Sequence, residues 1–304
     1  MYTTSLNQRL GALLAVTTVL GIVSTLYVWS LVSHEEESHE ALDAERNRKE
    51  AKRSKVNVGF DMLRVRIVKD HVVDDSGRSR NEVAIHFIRH GEGYHNVAQR
   101  EWRADPKWDG KSEPYTLDND PSGKYEDPLL TPLGRTQALK LQSEAKDLNP
   151  DVMIVSPLRR ATETGLIAFD DHVKNRGLPV IANELAHETG GRHTCDRRLP
   201  KSKLQNLYPD VNYDLIQDEI DPLWGDGETR ESVSDIADRA AKLLTWIVNS
   251  RTSESEFALA THSGFLNAMF VSVLGFERGW FKTGEMRTVV IEYGRSSGSS
   301  SGGI

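Results

Sequence analysis

The segment VAIHFIRHGEGYHN, residues 83–96, joins a short apolar run to a group of basic and polar side chains. Its first part, residues 83–89, is rich in Val, Ile and Phe and ends at polar residues, which is typical of a buried strand. Two later runs, residues 152–156 and 257–261, have the same character and lead into sequence that contains arginine or histidine. The chain therefore places reactive side chains at the ends of three predicted strands.

Helical spacing fills much of the sequence between these strands. Apolar residues recur at intervals of three and four in residues 135–148, 160–169 and 231–248, and residues 289–293 form a fourth predicted strand. Such alternation predicts an α/β layered domain with a mostly parallel central sheet flanked by helices. Sheets of this kind bind ligands beyond the carboxyl ends of their strands, where the polar segments lie.

The three strand ends are followed by two histidines and two arginines: His90, His262, Arg89 and Arg160. If the strands are neighbours, these side chains converge in one crevice. Arginine offers a planar set of donors that matches phosphate oxygens, and a neutral imidazole can attack phosphorus. The pattern therefore predicts a phosphoryl-transfer site that uses neither a metal ion nor a cofactor.

Four ordered motifs resemble those of a known family. RHGEGYHN resembles its RHGE signature with a trailing Asn, and YEDPLLTPLGRTQALKL, residues 125–141, resembles its LTxxGxxQAxxL segment. SPLRRATET, residues 156–164, resembles SxLxRAxxT, and ATHSGFL, residues 260–266, carries the second histidine. The chain is thus similar to the histidine phosphatase superfamily, in the branch of cofactor-dependent phosphoglycerate mutases and their phosphatase relatives. The GYHN ending and HETGGRHTCDRR, residues 187–198, resemble the mutase-like proteins of plants and fungi.

The resemblance implies a role for each residue of the site. His90 becomes the nucleophile, and Glu188, in AHETGG, becomes the proton donor and later the base that activates water. Glu92 is an alternative proton donor because it follows the nucleophile closely. The residues implied to contact the phosphoryl oxygens are Arg89, Asn96, Arg160, His262 and Ser263.

The other histidines and the single cysteine have simpler interpretations. His86 lies within a predicted strand, and we interpret it as structural. His187, His193 and Cys195 suggest a zinc site, but a fourth ligand at compatible spacing is missing. Cys195 is the only cysteine, so no intramolecular disulfide can form, and the sequence does not favour it as a nucleophile.

These features predict a metal-independent phosphatase that hydrolyses a small phosphomonoester through a phosphohistidine. A phosphoglycerate-type mutase is the alternative enzyme, although the mutases have Ser and Trp before the Asn where this chain has GYHN. A membrane-tethered phosphate-binding module without turnover is a third alternative, against which the intact histidines and arginines argue. Residues 101–124 and 197–224 are expected to cover the pocket and to set its specificity.

The N-terminal flank predicts a membrane anchor. Residues 11–32 carry no charged side chain, over a length that suffices to cross a bilayer as a helix. Arg9 precedes this run and HEEE follows it, so residues 1–10 are expected in the cytoplasm and the catalytic domain in the lumen or outside the cell. A cleaved signal peptide and a secreted domain are the alternative. The anchored orientation predicts that sealed microsomes protect the domain from protease, and digestion without detergent would contradict it.

The remaining boundaries follow from composition. Residues 33–82 are predicted to be a charged linker or juxtamembrane segment, residues 83–293 the histidine phosphatase catalytic domain, and residues 294–304 a flexible Gly/Ser tail. The formal net charge of −7 and the pI near 5.8 argue against nucleic-acid binding. The expected partners are therefore a small phosphorylated metabolite and the membrane, and the sequence predicts no particular oligomeric state.

Overall fold

A six-stranded sheet forms the centre of the domain in the computed structural model, which describes residues 62–68, 82–250, 255–277 and 279–294. In chain order the strands are β1 (Met62–Val68), β2 (Glu82–Arg89), β3 (Val152–Val155), β4 (Val180–Ala182), β5 (Glu256–Thr261) and β6 (Met286–Gly294). Across the sheet they occur in the order β1-β6-β2-β5-β3-β4. Strands β2, β5, β3 and β4 are parallel, whereas β6 runs antiparallel to both of its neighbours. The predicted α/β fold with a mostly parallel sheet is confirmed.

The predicted helices are present, with their ends displaced by a few residues. In chain order the α-helices of the described residues are α1 (Tyr94–Ala104), α2 (Pro132–Ala145), α3 (Arg159–Ala168), α4 (Asp170–Asn175), α5 (Lys201–Leu207), α6 (Val233–Ser250) and α7 (Ser263–Ala268). Short 3₁₀ turns occupy Glu184–Ala186 and Thr194–Asp196. Helix α2 starts before the predicted residue 135 because Thr131 caps it, accepting a hydrogen bond from Gly134 N at 3.0 Å, and Pro132 suits its first position.

The helices cover both faces of the sheet. Val83, Ile85 and Phe87 of β2 belong to one apolar cluster, whereas Ile88 belongs to a second, as alternation along a strand requires. The first cluster packs α6 and α7 on the sheet, and the second packs α2 and α3. Because both faces are buried, polar groups gather at the carboxyl ends of the parallel strands.

The sheet extends beyond the predicted start of the domain at residue 83. Strand β1 lies within residues 33–82, which composition assigns to a charged linker, yet it pairs with β6 from Met62 opposite Gly294 to Val68 opposite Thr288. Its sequence, MLRVRIV, alternates apolar residues with arginines. Charged residues are common on edge strands, so arginines are compatible with a strand at this position. Met62–Val68 therefore belongs to the sheet.

The predicted membrane span at residues 11–32 lies outside the described residues, as do residues 295–304 of the predicted tail. Within the described part of the chain, no helix combines the length and apolar character that crossing a membrane requires. The anchor and its orientation therefore stay predictions.

Candidate active site

The candidate site lies beyond the carboxyl ends of β2, β3 and β5, which are neighbours in the sheet. His90 follows β2, His262 follows β5, and Arg160 lies in the first turn of α3. The ring centroids of His90 and His262 are 5.1 Å apart, and Arg160 Nε lies 3.3 Å from His90 Nε2. All three side chains are buried. The structure thus brings together three of the four residues that the sequence predicts to converge beyond the strand ends.

The hydrogen bonds of His90 define its tautomer. Nδ1 lies 2.6 Å from the carbonyl oxygen of Gly91, which can only accept, so Nδ1 carries the hydrogen. Nε2 faces Arg160 Nε, which can only donate, so Nε2 presents its lone pair. Burial, followed by the Arg160 guanidinium, lowers the pKa of His90 well below 6.5. The imidazole is therefore neutral at physiological pH, with Nε2 available as a nucleophile.

The loop that carries His90 is held by residues of α2 and α3. Gln137 Oε1 accepts a hydrogen bond from Glu92 N at 2.7 Å, and Thr164 Oγ1 accepts one from Gly91 N at 3.0 Å. A Cβ at Gly134 would overlap the backbone of Glu92, so only glycine allows this approach. The glycine and glutamine of the LTPLGRTQ motif therefore fix the backbone on either side of the nucleophile.

A buried carboxylate orients Arg160. Its Nη2 donates to Asp196 Oδ1 at 2.7 Å, and its Nη1 donates to Cys195 O at 2.7 Å. Asp196 Oδ2 also pairs with Arg230 Nη1 at 2.9 Å. Burial opposes ionisation of Asp196, but Arg230, His193 and Arg160 outweigh it and hold its pKa well below the usual range. Sequence reasoning misses Asp196 and Arg230, although Asp196 lies in the HETGGRHTCDRR segment that resembles the family.

Only one ring nitrogen of His262 has a hydrogen-bond partner among the described residues. Its Nε2 lies 2.7 Å from Ser156 Oγ, at the end of β3. Its Nδ1 is buried and has no hydrogen-bond partner among the described residues. Burial, and after it the Arg160 guanidinium, lowers the pKa of His262 well below its usual value. A neutral imidazole with one unused nitrogen thus stands beside His90.

The other implied phosphate ligands differ in how closely the structure ties them to His90. Arg89 is buried, donates through Nη1 to Phe281 O, and contributes to the lowered pKa of His90. Asn96 Oδ1 accepts from Gly93 N at 2.9 Å and so caps α1. Ser263 is the first residue of α7. Among the described residues, no hydrogen bond joins Asn96 or Ser263 to His90, so their roles stay predictions.

Glu188 lies next to the second histidine, at the start of α7. Oε1 accepts from Thr189 N at 2.9 Å and from Phe265 N at 3.2 Å, and Oε2 accepts from Gly264 N at 3.2 Å. A Cβ at Gly264 would overlap this carboxylate, so the glycine of THSG makes room for it. Arg239 holds the backbone, because its Nη2 donates to Glu188 O at 3.0 Å. The side chain is therefore fixed beside the loop that carries His262.

Glu92, the alternative proton donor, is engaged in structural contacts. Thr131 Oγ1 donates to Glu92 Oε1 at 2.7 Å, and Arg100 Nη1 lies 3.0 Å from Glu92 Oε2. Both carboxylate oxygens are thus bound by the cap of α2 and by a cation of α1. Glu188 differs in position, because its carboxylate lies against Gly264 and Phe265, which directly follow His262 in the chain. The choice between Glu188 and Glu92 as proton donor stays a prediction.

A model of the histidine phosphatase superfamily, branch 1, matches residues 115–297. The chain belongs to the histidine phosphatase superfamily. The matched residues include Arg160, Glu188 and His262 but begin after His90, whose assignment rests on the RHGE motif and on the geometry above. The family expected from the four motifs is confirmed.

Curated relatives come from plants and fungi, as the motifs predict. A "phosphoglycerate mutase-like protein" of Arabidopsis thaliana is 30% identical over 216 residues, covering 62% of this chain and 73% of the relative. A "probable phosphoglycerate mutase" of Saccharomyces cerevisiae is 29% identical, covering 73% and 82%. A "probable phosphatase" of Schizosaccharomyces pombe is 27% identical, covering 59% and 73%. Similarity therefore extends to family members with mutase and with phosphatase names.

In the part of the chain that the structure describes, the histidines outside the catalytic motifs of the family have protein partners. His86 is fully buried and contacts Glu256 Oε1 at 2.9 Å and Thr288 Oγ1 at 2.8 Å, which agrees with a structural role. The ligand atoms of His193, Cys195 and Asp196 lie within 4.8 Å of one another. A cation there would compete with Arg160 and Arg230 for the carboxylate of Asp196.

The predicted cover reaches the histidine phosphatase site through Tyr115, in residues 101–124. Tyr115 is buried, and its carbonyl oxygen accepts from Thr194 N at 2.7 Å. Residues 197–224 contact the same segment, because Trp224 Nε1 donates to His193 O at 3.1 Å. Both predicted covering segments thus pack on the loop that carries Asp196.

The ion pair of His187 with Asp221 supports the Glu188 loop and provides a test of stability. Burial lowers the pKa of His187, but the Asp221 carboxylate, 3.1 Å away, outweighs it and raises that pKa to about 9. A raised pKa gives stability that is fully present below the usual value of 6.5 and is lost as the pH rises through 9. Asp221→Asn is therefore expected to lower the free energy of unfolding by about 3 kcal/mol at pH 6.

Urea unfolding of the wild type and of Asp221→Asn at pH 6 and pH 10 measures the loss of unfolding free energy. The difference between wild type and Asp221→Asn is expected to shrink at pH 10, where His187 is neutral in both. A difference of equal size at both pH values would show that the pair is not ionised.

Proposed function

We propose that this protein is a phosphatase that hydrolyses a small phosphomonoester through a phosphohistidine at His90. The observation that carries the proposal is the fixed tautomer of His90, whose Nε2 lone pair lies 3.3 Å from a guanidinium that the Asp196 carboxylate orients. A nucleophile beside preorganised cationic donors is the arrangement that phosphoryl transfer requires.

The first half of the reaction transfers the phosphoryl group to the enzyme. His90 Nε2 attacks phosphorus, the N–P bond forms, and the bond to the ester oxygen breaks. Arg89, Arg160 and His262 stabilise the charge on the other phosphoryl oxygens. Glu188, in its protonated form, donates its proton to the departing alkoxide.

The second half returns the free enzyme. Glu188, now ionised, removes a proton from water, and the resulting hydroxide attacks phosphorus opposite His90. The N–P bond breaks, inorganic phosphate leaves, and Glu188 holds the proton for the next cycle.

We expect hydrolysis of p-nitrophenyl phosphate by the purified protein to continue unchanged in excess EDTA. The two guanidiniums and the imidazole hydrogen bonds supply the charge stabilisation that a cation provides in metal-dependent phosphatases. Activity is measured after dialysis against chelator, with and without added Mg²⁺ or Zn²⁺. Loss of activity that a divalent ion restores would contradict this expectation.

A mutase is the second candidate, because similar proteins of plants and fungi carry mutase or mutase-like names. The two functions differ in what removes the phosphoryl group from His90: water in a phosphatase, and the hydroxyl of a bound acceptor in a mutase. Isolated phosphoenzyme is therefore incubated in buffer alone or with 3-phosphoglycerate. Release of inorganic phosphate at the turnover rate in both supports the phosphatase, whereas a stable phosphoenzyme that transfers its label to the acceptor supports the mutase.

A further inference from the structure

His95 is a buried histidine near the nucleophile to which neither the motifs nor the reaction above gives a role. It lies in the first turn of α1, and only 8% of its surface is exposed. Its ring centroid is 5.5 Å from that of His90, and the two rings are tilted by 54°. His95 is therefore as much a neighbour of the nucleophile as His262, whose centroid distance is 5.1 Å.

The hydrogen-bonding capacity of His95 is unused by the protein. Nδ1 is buried and has no hydrogen-bond partner, and no hydrogen bond to Nε2 occurs among the described residues either. Leaving a buried polar group without a partner costs about 1–3 kcal/mol, so such groups are rare unless a ligand completes them. The unused nitrogens point to a ligand in the phosphoryl site.

The glycine of GYHN brings His95 and Arg160 to the same point. A Cβ at Gly93 would lie 2.6 Å from His95 Nδ1 and 3.5 Å from Arg160 Cδ. Arg160 is also a neighbour of the nucleophile, because its Nε lies 3.3 Å from His90 Nε2. The observed position of the His95 ring therefore requires glycine at residue 93. The Gly and the His of GYHN thus depend on each other.

The surroundings keep His95 neutral and limit its movement. Burial, followed by the Arg160 guanidinium, lowers the pKa of His95 well below its usual value. The Tyr115 ring meets His95 edge-on, with its centroid 6.5 Å away, and it packs in turn on His193 at 4.8 Å. A neutral imidazole has one N–H donor, which suits an oxygen of a phosphate ester.

We propose that His95 contacts the substrate and donates a hydrogen bond to an oxygen of the phosphoryl group held at His90 Nε2. This inference rests on the proposed function. A phosphorus atom ready for attack lies about 3–3.5 Å from its nucleophile, and donors reach its oxygens over about 2.7–3.1 Å. A ring centred 5.5 Å from His90 is within that reach.

The test uses orthovanadate, which imitates the five-coordinate phosphorus of the transition state, with binding measured by calorimetry and inhibition by p-nitrophenyl phosphate hydrolysis. His95→Leu removes the donor, and we expect vanadate affinity and kcat/KM to fall about 10-fold to 100-fold. His95→Asn keeps an N–H near the position of Nδ1, the buried nitrogen without a partner, so we expect it to recover at least part of the vanadate affinity and of kcat/KM.

A buried histidine away from the site is the matched control. His172 is 3% exposed, and its Nε2 bonds to Leu148 O at 2.9 Å. We expect His172→Gln to change thermal stability without changing vanadate affinity. Equal vanadate affinity in wild type and folded His95→Leu would overturn the role of His95. Absence of phosphatase turnover in the wild type would instead contradict the proposed function, while the calorimetric comparison still decides the role of His95.

Discussion

His90→Ala is expected to abolish the phosphoenzyme and to lower kcat/KM by about four orders of magnitude or more, because it removes the nucleophile. The remaining cationic groups can bind phosphate but cannot form the covalent bond. Rapid quenching with ³²P-labelled substrate should trap label on wild type and none on the variant. A phosphohistidine is stable to alkali and labile to acid, so the label should survive base and disappear in mild acid.

Two side chains near His90 serve as controls for the site of labelling. The Ser156 hydroxyl contacts His262, so Ser156→Ala is expected to slow turnover without removing the label. Cys195 accepts from Arg160 through its backbone carbonyl oxygen, which Cys195→Ser retains, so that variant is expected to keep the label. Burial raises the pKa of the Cys195 thiol, which disfavours the thiolate needed for attack. Substantial activity in His90→Ala, or a label on Ser156 or Cys195, would refute the mechanism.

The strand ends of the site were predictable because composition and polar boundaries mark the strands. Short apolar runs predict β2, β3 and β5, and parallel strands bring the residues that follow them to one edge. His90, Arg160 and His262 are neighbours for this reason. Their convergence also requires that β2, β5 and β3 be neighbours, a condition that the sequence leaves open and the observed strand order meets.

The partners that tune these residues were not predictable from the same patterns. Asp196 and Arg230 come from segments without regular periodicity, and their pairing depends on how two loops fold over the sheet. His95 follows the nucleophile by five residues, but its approach depends on the turn at Gly93 that starts α1. Strand β1 was obscured by its arginines, since alternation with charge is shared by edge strands and solvated linkers.

Glu188→Gln is expected to separate substrates by the quality of their leaving groups. An alkyl alkoxide needs a proton to depart, so kcat/KM for glycerol 2-phosphate should fall about 100-fold to 1,000-fold. Nitrophenolate leaves without protonation, so kcat/KM for p-nitrophenyl phosphate should fall about tenfold or less. Because the same carboxylate activates water, the phosphoenzyme should accumulate with the aryl substrate and give a burst of nitrophenol.

Glu92→Gln is the matched control, since it replaces a carboxylate by an amide at the alternative proton donor. Glu92 is bound by Thr131 and Arg100, so its substitution should reduce thermal stability. It should also lower kcat/KM by a similar factor for glycerol 2-phosphate and for p-nitrophenyl phosphate. The amide of Glu188→Gln loses one acceptor near the start of α7, so the stability of both variants is compared before their rates. A strong leaving-group dependence in Glu92→Gln with none in Glu188→Gln would transfer the role of proton donor to Glu92. A similar fall for both substrates in Glu188→Gln would leave Glu188 as a residue that positions the start of α7, with no part in proton transfer.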